Sequence, residues 1–483
     1  MESILNKLVL RDVLLLIIAI LAMKVTAGIF ILVIVLSGCV FAFQKKSGKL
    51  AFCFFSLFFL QNVNFAIIPM TVFTNLGCKT GFMLMSLCML SGATKRGCFE
   101  KLPFGLLFLY LGCMVVSSAV GYFPMISYLK LFNYTFFLCS VCLIVKYIQV
   151  SAVDLLEARA ALIAIAFMLV VGSLAVYPFP DIGYSMNVRV AMRYGIYMTG
   201  QEAMEKAGSL FNGLTWHSQA LAPMAAISFV YVAMDMLFLE KKARIIHLSI
   251  LLVAPIVMFM TRSRTAILTM VLGVLAFYFY AQQYVQIPQR LRRHMKMAVS
   301  FAIIICIIIG TILEIKDQTF TKWIRKTDNV DTDTRSLSEA VSNTRMGAWD
   351  ENIDDFTTHP VFGIGFQVSR QLKSLYKEGA WVNIFSAPVE KGITPLVVFA
   401  EGGAIGGTIF LLFVLMYFLH CISRRNVCMF TLFVVIMTSN LSESTFFSPS
   451  GCGGYMFVFA FIGGVVLDAC IKRARMPNTY MYI

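Results

Sequence analysis

The sequence predicts an all-α polytopic membrane protein of about 14 transmembrane helices, with one large extracytoplasmic loop containing short amphipathic helices. Three observations carry this. Of 483 residues, 59% are hydrophobic and only 13% charged, against about 25% charge in an ordinary soluble domain. Apolar runs long enough to cross a bilayer core recur from end to end, and mean hydropathy is +0.81. The net charge of +15 comes from basic residues standing in twos and threes between those runs, which is how a membrane protein fixes its orientation. A soluble enzyme and a nucleic-acid partner are excluded on these grounds. The 13 cysteines lie mostly inside apolar runs, so no disulfide framework organises the polar segments.

The runs fall near 10-23, 26-44, 50-70, 80-93, 103-121, 128-147, 160-177, 217-239, 246-261, 265-283, 297-314, 393-420, 426-440 and 453-471. With Lys7 and Arg11 cytoplasmic, the clusters at Lys45/Lys46/Lys49, Lys95/Arg96/Lys101, Lys241/Lys242/Arg244, Arg290/Arg292/Arg293/Lys296, Arg424/Arg425 and Lys472/Arg473/Arg475 share one side. Both termini are then cytoplasmic. The first run reads as an uncleaved span, because another span follows it at once. Three units result: transmembrane residues 1-314 with eleven helices, a large extracytoplasmic loop at 315-392, and transmembrane residues 393-483 with three helices and a cytoplasmic tail. A shorter outward segment covers 178-216. The large loop holds 10 Lys/Arg against 11 Asp/Glu, so the positive excess lies in the inside loops. Those loops are short and carry no glycine-rich phosphate loop, which argues against a cytoplasmic nucleotide site. No internal repeat is evident, which weakens an inverted-repeat transporter reading.

Within the large loop, Thr344 to Phe356 reads as a short amphipathic helix, with Met346, Trp349, Ile353 and Phe356 at helical spacing and His359-Pro360 as a stop. The glycine-punctuated turn Val361-Phe362-Gly363-Ile364-Gly365 follows.

Chemistry is concentrated in a few residues. Thr261-Arg262-Ser263-Arg264-Thr265 separates two apolar runs at the expected outer face, so the next helix presents its amino terminus outward. Unpaired amides beside planar guanidinium forks suit phosphate oxygens. The alternative for Arg262 and Arg264 is interfacial anchoring, their charged ends snorkelling to the headgroups. Arg345 opens the amphipathic helix four residues before Trp349, and by itself reads equally as a surface arginine. His359 reads as a helix-stop residue bonded to backbone. The acidic run Asp350, Glu351, Asp354, Asp355 reads as a solvated helix face, and the five histidines show no paired metal-ligand spacing. Glu390-Lys391-Gly392 stands just before the 393-420 run, which contains Glu401-Gly402-Gly403-Ala404-Ile405-Gly406-Gly407. A carboxylate inside an apolar segment is costly unless paired and marks a functional site by default, while clustered glycines let another helix approach.

Together, Ser263-Arg264-Thr265 at a span start, Arg345 with Trp349, the His359-Pro360-Val361-Phe362-Gly363-Ile364-Gly365 turn, and Leu396 followed by Glu401-x-Gly403-x-x-Gly406 resemble the O-antigen ligase and polymerase superfamily. The resemblance covers roughly residues 205-415, and Phe211-Asn212-Gly213-Leu214-Thr215-Trp216-His217 is similar to an aromatic-glycine segment that family members place before a central span. It implies a multi-pass enzyme of the bacterial cytoplasmic membrane with an extracytoplasmic active site. Such an enzyme takes a glycan from an undecaprenyl-diphosphate carrier and joins it to an acceptor glycan, using no metal or other cofactor. Other polysaccharide-assembly proteins are implied as partners beside the lipid bilayer. The chain departs from the ligase pattern at one point: ligases carry a His-Asn pair nine residues before the glutamate that corresponds to Glu401, and here that place holds Gly392-Ile393.

The two lines of argument meet in one chemistry. A site outside the cytoplasm must receive an already activated donor, and a lipid-linked diphosphosugar is one. Arg264 and Arg345 are expected to stabilise the departing diphosphate with Arg262 as helper, and Glu390 to act as base, with His217 or Glu401 behind it. Lys391, Trp349, His217 and Glu401 are expected around the substrate. Polymerisation of repeat units is the first reading and ligation to lipid A-core or another acceptor the second. A transporter or flippase that only grips the diphosphate, or a scaffold whose loop binds a partner, remains open.

Overall fold

The computed structural model describes residues 2–64, 67–68, 72–91, 102–149, 151–183, 211–215, 217–239, 244–284, 346–370, 392–441, 444–449 and 451–475. Every regular element among these residues is a helix. Each apolar run that falls on them forms one, because a backbone surrounded by hydrocarbon must satisfy its own polar groups. The run expected at 297-314 lies outside the described residues. In chain order the elements are α1 (Glu2–Phe43), α2 (Ser47–Asn62), α3 (Val72–Ser91), α4 (Gly105–Val120), α5 (Pro124–Ile148), α6 (Ala152–Ala175), the single turn α7 (Pro180–Gly183), α8 (Ser218–Leu239), α9 (Ile245–Met260), α10 (Arg264–Tyr284), α11 (Met346–Thr358), α12 (Thr394–Ser423), α13 (Val427–Ser439), α14 (Gly451–Phe457) and α15 (Gly464–Arg475). A π-helical segment, Val458–Gly463, joins the last two. Among the described residues, five helices are long and apolar enough to cross a membrane by length and composition: α5, α6, α8, α12 and the stretch Gly451–Ala474. Five shorter apolar helices join them.

One boundary differs from the sequence reading, and one pair of runs is continuous in helical backbone yet reverses direction as expected. The 50-70 run stops being helical at Asn62, after which Val63 forms an isolated antiparallel bridge with Thr215 and the Asn64 amide donates to the Leu214 carbonyl. The runs at 10-23 and 26-44 form one helical stretch that leaves helical geometry only at Thr26. Asp12 and Cys39, one from each half, are both electrostatic neighbours of Cys53 in α2. A straight helix would hold residues 12 and 39 about 40 Å apart. The chain therefore doubles back at Thr26, and α1 is two antiparallel runs.

The core sits around α6, which packs on α1, α2, α8 and α9. Ala158, Ala160, Ala161, Ala164 and Ala166 of this helix are all fully buried, and such small side chains let neighbouring backbones approach without a hydrophobic driving force. Between α4, α5, α12, α13 and the last helix lies an aromatic cluster that includes Tyr110, Tyr134, Phe413, Phe447, Phe457 and Phe461, mostly in edge-to-face contact.

The bundle has two chemically different ends. At the lower end, Arg11, Lys46 and Lys49 surround Glu157, Arg244 donates to Asn6, Arg473 donates to the Gln149 carbonyl, and Arg424 and Arg425 follow α12. Just inside this end, Arg159 of α6 makes a bidentate pair with Asp235 of α8 at 2.6 and 2.8 Å, and His247 of α9 reaches the same carboxylate at 2.9 Å. All three side chains are buried, so three helices are joined by one buried charge network, in which only His247 Nδ1 lacks a hydrogen-bond partner among the described residues. At the upper end the connections meet one another. Asn64 donates to Ile182, Lys130 donates to the Gln367 carbonyl, the Gln367 side chain donates to Phe447, and Tyr134 donates to Phe446.

Candidate active site

α12 begins with Pro395 in its first turn, where a missing N–H costs nothing. Its first residue is held by Asn440, which closes α13: the Thr394 amide donates to the Asn440 carbonyl (3.0 Å) and the Thr394 hydroxyl to Oδ1 (2.9 Å). Oδ1 also accepts the amides of Thr445 (2.9 Å) and Phe446 (2.7 Å). A single buried amide side chain thus fixes the mouth of α12 to two neighbouring segments.

Nine residues further on, the helix breaks at Gly403, whose φ of 61° and ψ of −165° belong to a region that essentially only glycine occupies. The turn after α11 fills the break. The amides of Ile364 and Gly365 donate to the carbonyls of Ala400 (3.0 Å) and Glu401 (3.2 Å), and the Ala404 amide donates to the Pro360 carbonyl (2.8 Å). The Ser117 hydroxyl at the upper end of α4 also donates to the Glu401 carbonyl, at 2.5 Å. Ser127 of α5 donates to the Phe366 carbonyl and accepts the Phe366 amide, while the Tyr122 amide donates to the Ile364 carbonyl. Irregular backbone inside the bundle is satisfied by the protein's own loop. Glu401 therefore lies level with the upper end of α4, two residues before the break, with its side chain buried and Tyr110 within electrostatic reach.

α11 forms over Met346–Thr358, as its apolar spacing predicts, and lies on the first half of α12. Phe356 packs edge-to-face on Phe399 (5.7 Å between centroids), and Trp349 lies against Gly392. Gly392 has φ +75°, and a Cβ built there would fall 2.8 Å from Cδ1 of Trp349 and 3.1 Å from Nε1. A side chain at that position would be strained and would have to displace the Trp349 ring. The acidic run is not uniformly a solvated face. Asp350 and Asp354 are exposed, whereas Asp355 is buried and pairs with Arg370 Nε at 2.7 Å. His359 does terminate the helix: its amide donates to the Asp355 carbonyl, its own carbonyl accepts the Gly363 amide, and its ring lies edge-to-face with Tyr122.

The arginine turn joins α9 to α10. Arg262 takes φ +52°, the left-handed conformation in which helices commonly terminate, with its amide on the Phe259 carbonyl, and Arg264 is the first residue of α10. Both side chains are half-buried. α10 packs along α13, and α13 ends at Asn440 on Thr394, so the turn and the mouth of α12 belong to one end of the bundle. His217 stands immediately before α8, where its Nδ1 accepts the Gln219 amide (3.0 Å) and its carbonyl accepts those of Ala220 and Leu221. That nitrogen caps a helix and is not available to take a proton. Arg345, Glu390 and Lys391 lie outside the described residues.

Three residues at this end carried no signal in the sequence reading. Asn440 and Tyr122 sit inside unremarkable helix-end sequence. Arg370 is one of many loop arginines, and only its partners distinguish it.

No curated protein matches the chain. A family model described as O-antigen ligase matches residues 247–411, a stretch containing the arginine turn, α11 and the broken half of α12. That match lies on the elements that meet at the upper end of the bundle, and it supports the resemblance of this part of the chain to the O-antigen ligase and polymerase superfamily.

Proposed function

We propose that the protein is a glycosyltransferase of the bacterial cytoplasmic membrane that polymerises polysaccharide repeat units, transferring a glycan from an undecaprenyl-diphosphate carrier to an acceptor glycan at the outer face. The observation that carries this reading is the family match itself, because it spans both the arginine turn and the broken helix. That much supports a membrane glycan transferase of ligase or polymerase type. Polymerase is preferred over ligase because the position of the ligase histidine is Gly392, and its left-handed backbone and contact with Trp349 would strain a side chain there.

In this reading Arg264 and Arg345 stabilise the negative charge that grows on the departing diphosphate, with Arg262 as helper. Each bidentate guanidinium contributes roughly 2–4 kcal/mol at the transition state. No metal or cofactor is called on. Glu390 accepts the proton of the acceptor hydroxyl. His217 ranks below it, since its Nδ1 already accepts a backbone amide, and is assigned to substrate binding together with Lys391 and Trp349. Glu401 is buried beside the break, so its assigned part is to hold the end of the half-helix near the substrate. Glu390→Gln is expected to bind donor normally and transfer slowly, whereas Glu401→Gln mainly reduces folded protein; single-turnover transfer and donor binding in the two variants separate these roles.

About 14 crossings with both termini inside put residues 315-392 outside the membrane. The gathering of Arg11, Lys46, Lys49, Arg244, Arg424, Arg425 and Arg473 at the lower end supports this orientation. A cysteine at Ser338 in a cysteine-free variant should react with an impermeant reagent added to intact cells, and reaction only after permeabilisation would invert the topology. The decisive assay is product analysis in vesicles holding lipid-linked repeat units. Longer glycans plus free carrier diphosphate support the enzyme, a glycan joined to another acceptor supports a ligase, and a change of sidedness alone means a transporter.

A further inference from the structure

A polar cluster beside the plugged break has no part in the chemistry above. Arg370, at the end of the inserted turn, donates to Asp354 Oδ2 (2.5 Å), to the Tyr122 hydroxyl (3.0 Å) and to the Thr358 hydroxyl (3.2 Å), and pairs with Asp355 (2.7 Å). Its guanidinium also faces the Tyr122 ring at 5.7 Å. The hydrogen bond to Tyr122 and the Asp355 carboxylate hold Arg370 charged well above its ordinary range. His359 closes the group against the same ring, 5.1 Å between centroids at 87°.

Although closely bonded, the cluster is open to solvent. The Arg370 side chain is 42% exposed and that of Asp354 60%. Asp354 spends Oδ2 on Arg370 and keeps Oδ1 uncommitted. His359 is half-buried with Nδ1 enclosed, so Nε2 is the ring nitrogen that solvent reaches. The surface offers a fixed carboxylate oxygen, an imidazole nitrogen and the remaining acceptor lone pair of the Thr358 hydroxyl, whose proton goes to the Asp354 carbonyl (2.7 Å), with the arginine charge already offset by two carboxylates. A free anion gains little there. Hydroxyl groups, which donate and accept at once, suit such a set. Along α11 the cluster runs from about 7 Å (Asp354, five residues) to about 15 Å (His359, ten residues) from Trp349 at the helical rise. A ligand that reaches from Trp349 across the cluster to His359 is longer than a single sugar.

We propose that Asp354, Thr358 and His359, held in place by Arg370 and Tyr122, form a subsite for the distal sugars of a glycan substrate, remote from the bond that is made. This rests on the glycosyltransferase reading for its choice of ligand. The glycan is either the chain on the carrier or the acceptor, and the two are separated by which KM moves.

The test uses the full chain in detergent or nanodiscs. The probe is repeat-unit oligosaccharide released by mild acid from the host's own surface polysaccharide, free of diphosphate and lipid. Wild type, Asp354→Asn and His359→Gln are titrated with it, and folding is followed by size-exclusion profile. Asn at 354 still accepts from Arg370, so the latch survives; should that variant fail to fold, His359→Gln decides alone. The expected result is oligosaccharide binding weakened roughly tenfold or more in each variant, with a matching rise in KM for donor or for acceptor. Equal binding by wild type and folded variants, or no binding by wild type, overturns the subsite and leaves the cluster as a latch for the turn. Because binding is read without turnover, a wild type that binds oligosaccharide through these residues yet releases no carrier diphosphate keeps the subsite and overturns the transferase reading instead.

Discussion

Two polar clusters built from the same chemistry stand at opposite ends of the bundle and differ in their surroundings. Arg159, Asp235 and His247 are buried between α6, α8 and α9, with the carboxylate receiving a guanidinium fork and an imidazole. Arg370, Asp354, Asp355, Tyr122 and His359 link α11, the α4–α5 connection and the inserted turn with equally short contacts, but half of the group faces solvent. In a low-dielectric interior a charged group must be matched or it destabilises the fold, so the lower cluster has its charges paired and is closed off from solvent. Where water screens the charges, the pairs contribute little to stability and can leave donors and acceptors uncommitted. Number and length of contacts therefore say less about a cluster's role than its exposure does.

The largest expected effect comes from breaking the closed cluster. Asp235→Ala strands a guanidinium inside the bundle and should cost about 3–5 kcal/mol, visible as loss of folded protein or a large drop in thermal unfolding temperature in detergent. Replacing Arg159 and Asp235 together by methionine and leucine should recover much of this, since neither charge is then left unmatched. A stable Asp235→Ala protein that has lost transfer would reverse the comparison, making the lower cluster functional.

Next in size are the arginines assigned to the diphosphate. Arg264→Lys and Arg345→Lys keep the charge but not the planar fork, and transfer should fall by the equivalent of roughly 2–4 kcal/mol in kcat/KM at normal protein levels. Full activity in both would reduce them to interfacial anchors.

The smallest effect on stability is expected at the exposed pair of the open cluster, where Asp354→Ala should cost about 1 kcal/mol of unfolding free energy or less. A loss as large as that of Asp235→Ala would mean that the inserted turn depends on this pair alone and that exposure is a poor guide to role here.

What the sequence by itself determined is everything that depends on local hydropathy. The apolar runs became helices where they are described, apart from the end of the 50-70 run, and the reversal between 10-23 and 26-44 was legible too, because hydrocarbon leaves a backbone few alternatives. The amphipathic helix around Trp349 and the stop at His359-Pro360 were legible for the same reason, since periodicity is written in adjacent residues. The glycines from Gly402 to Gly407 read as helix packing, yet Gly403 is a break, and that depended on a turn forty residues upstream supplying amides and a carbonyl to the severed ends. Likewise nothing in the spacing of Arg159, Asp235 and His247 joins them, and the strain of a side chain at Gly392 shows itself only once Trp349 lies against it. Tertiary structure alone decided these points, because a buried charge or an unpaired carbonyl is satisfied by whichever group the packing brings to it, at any distance along the chain.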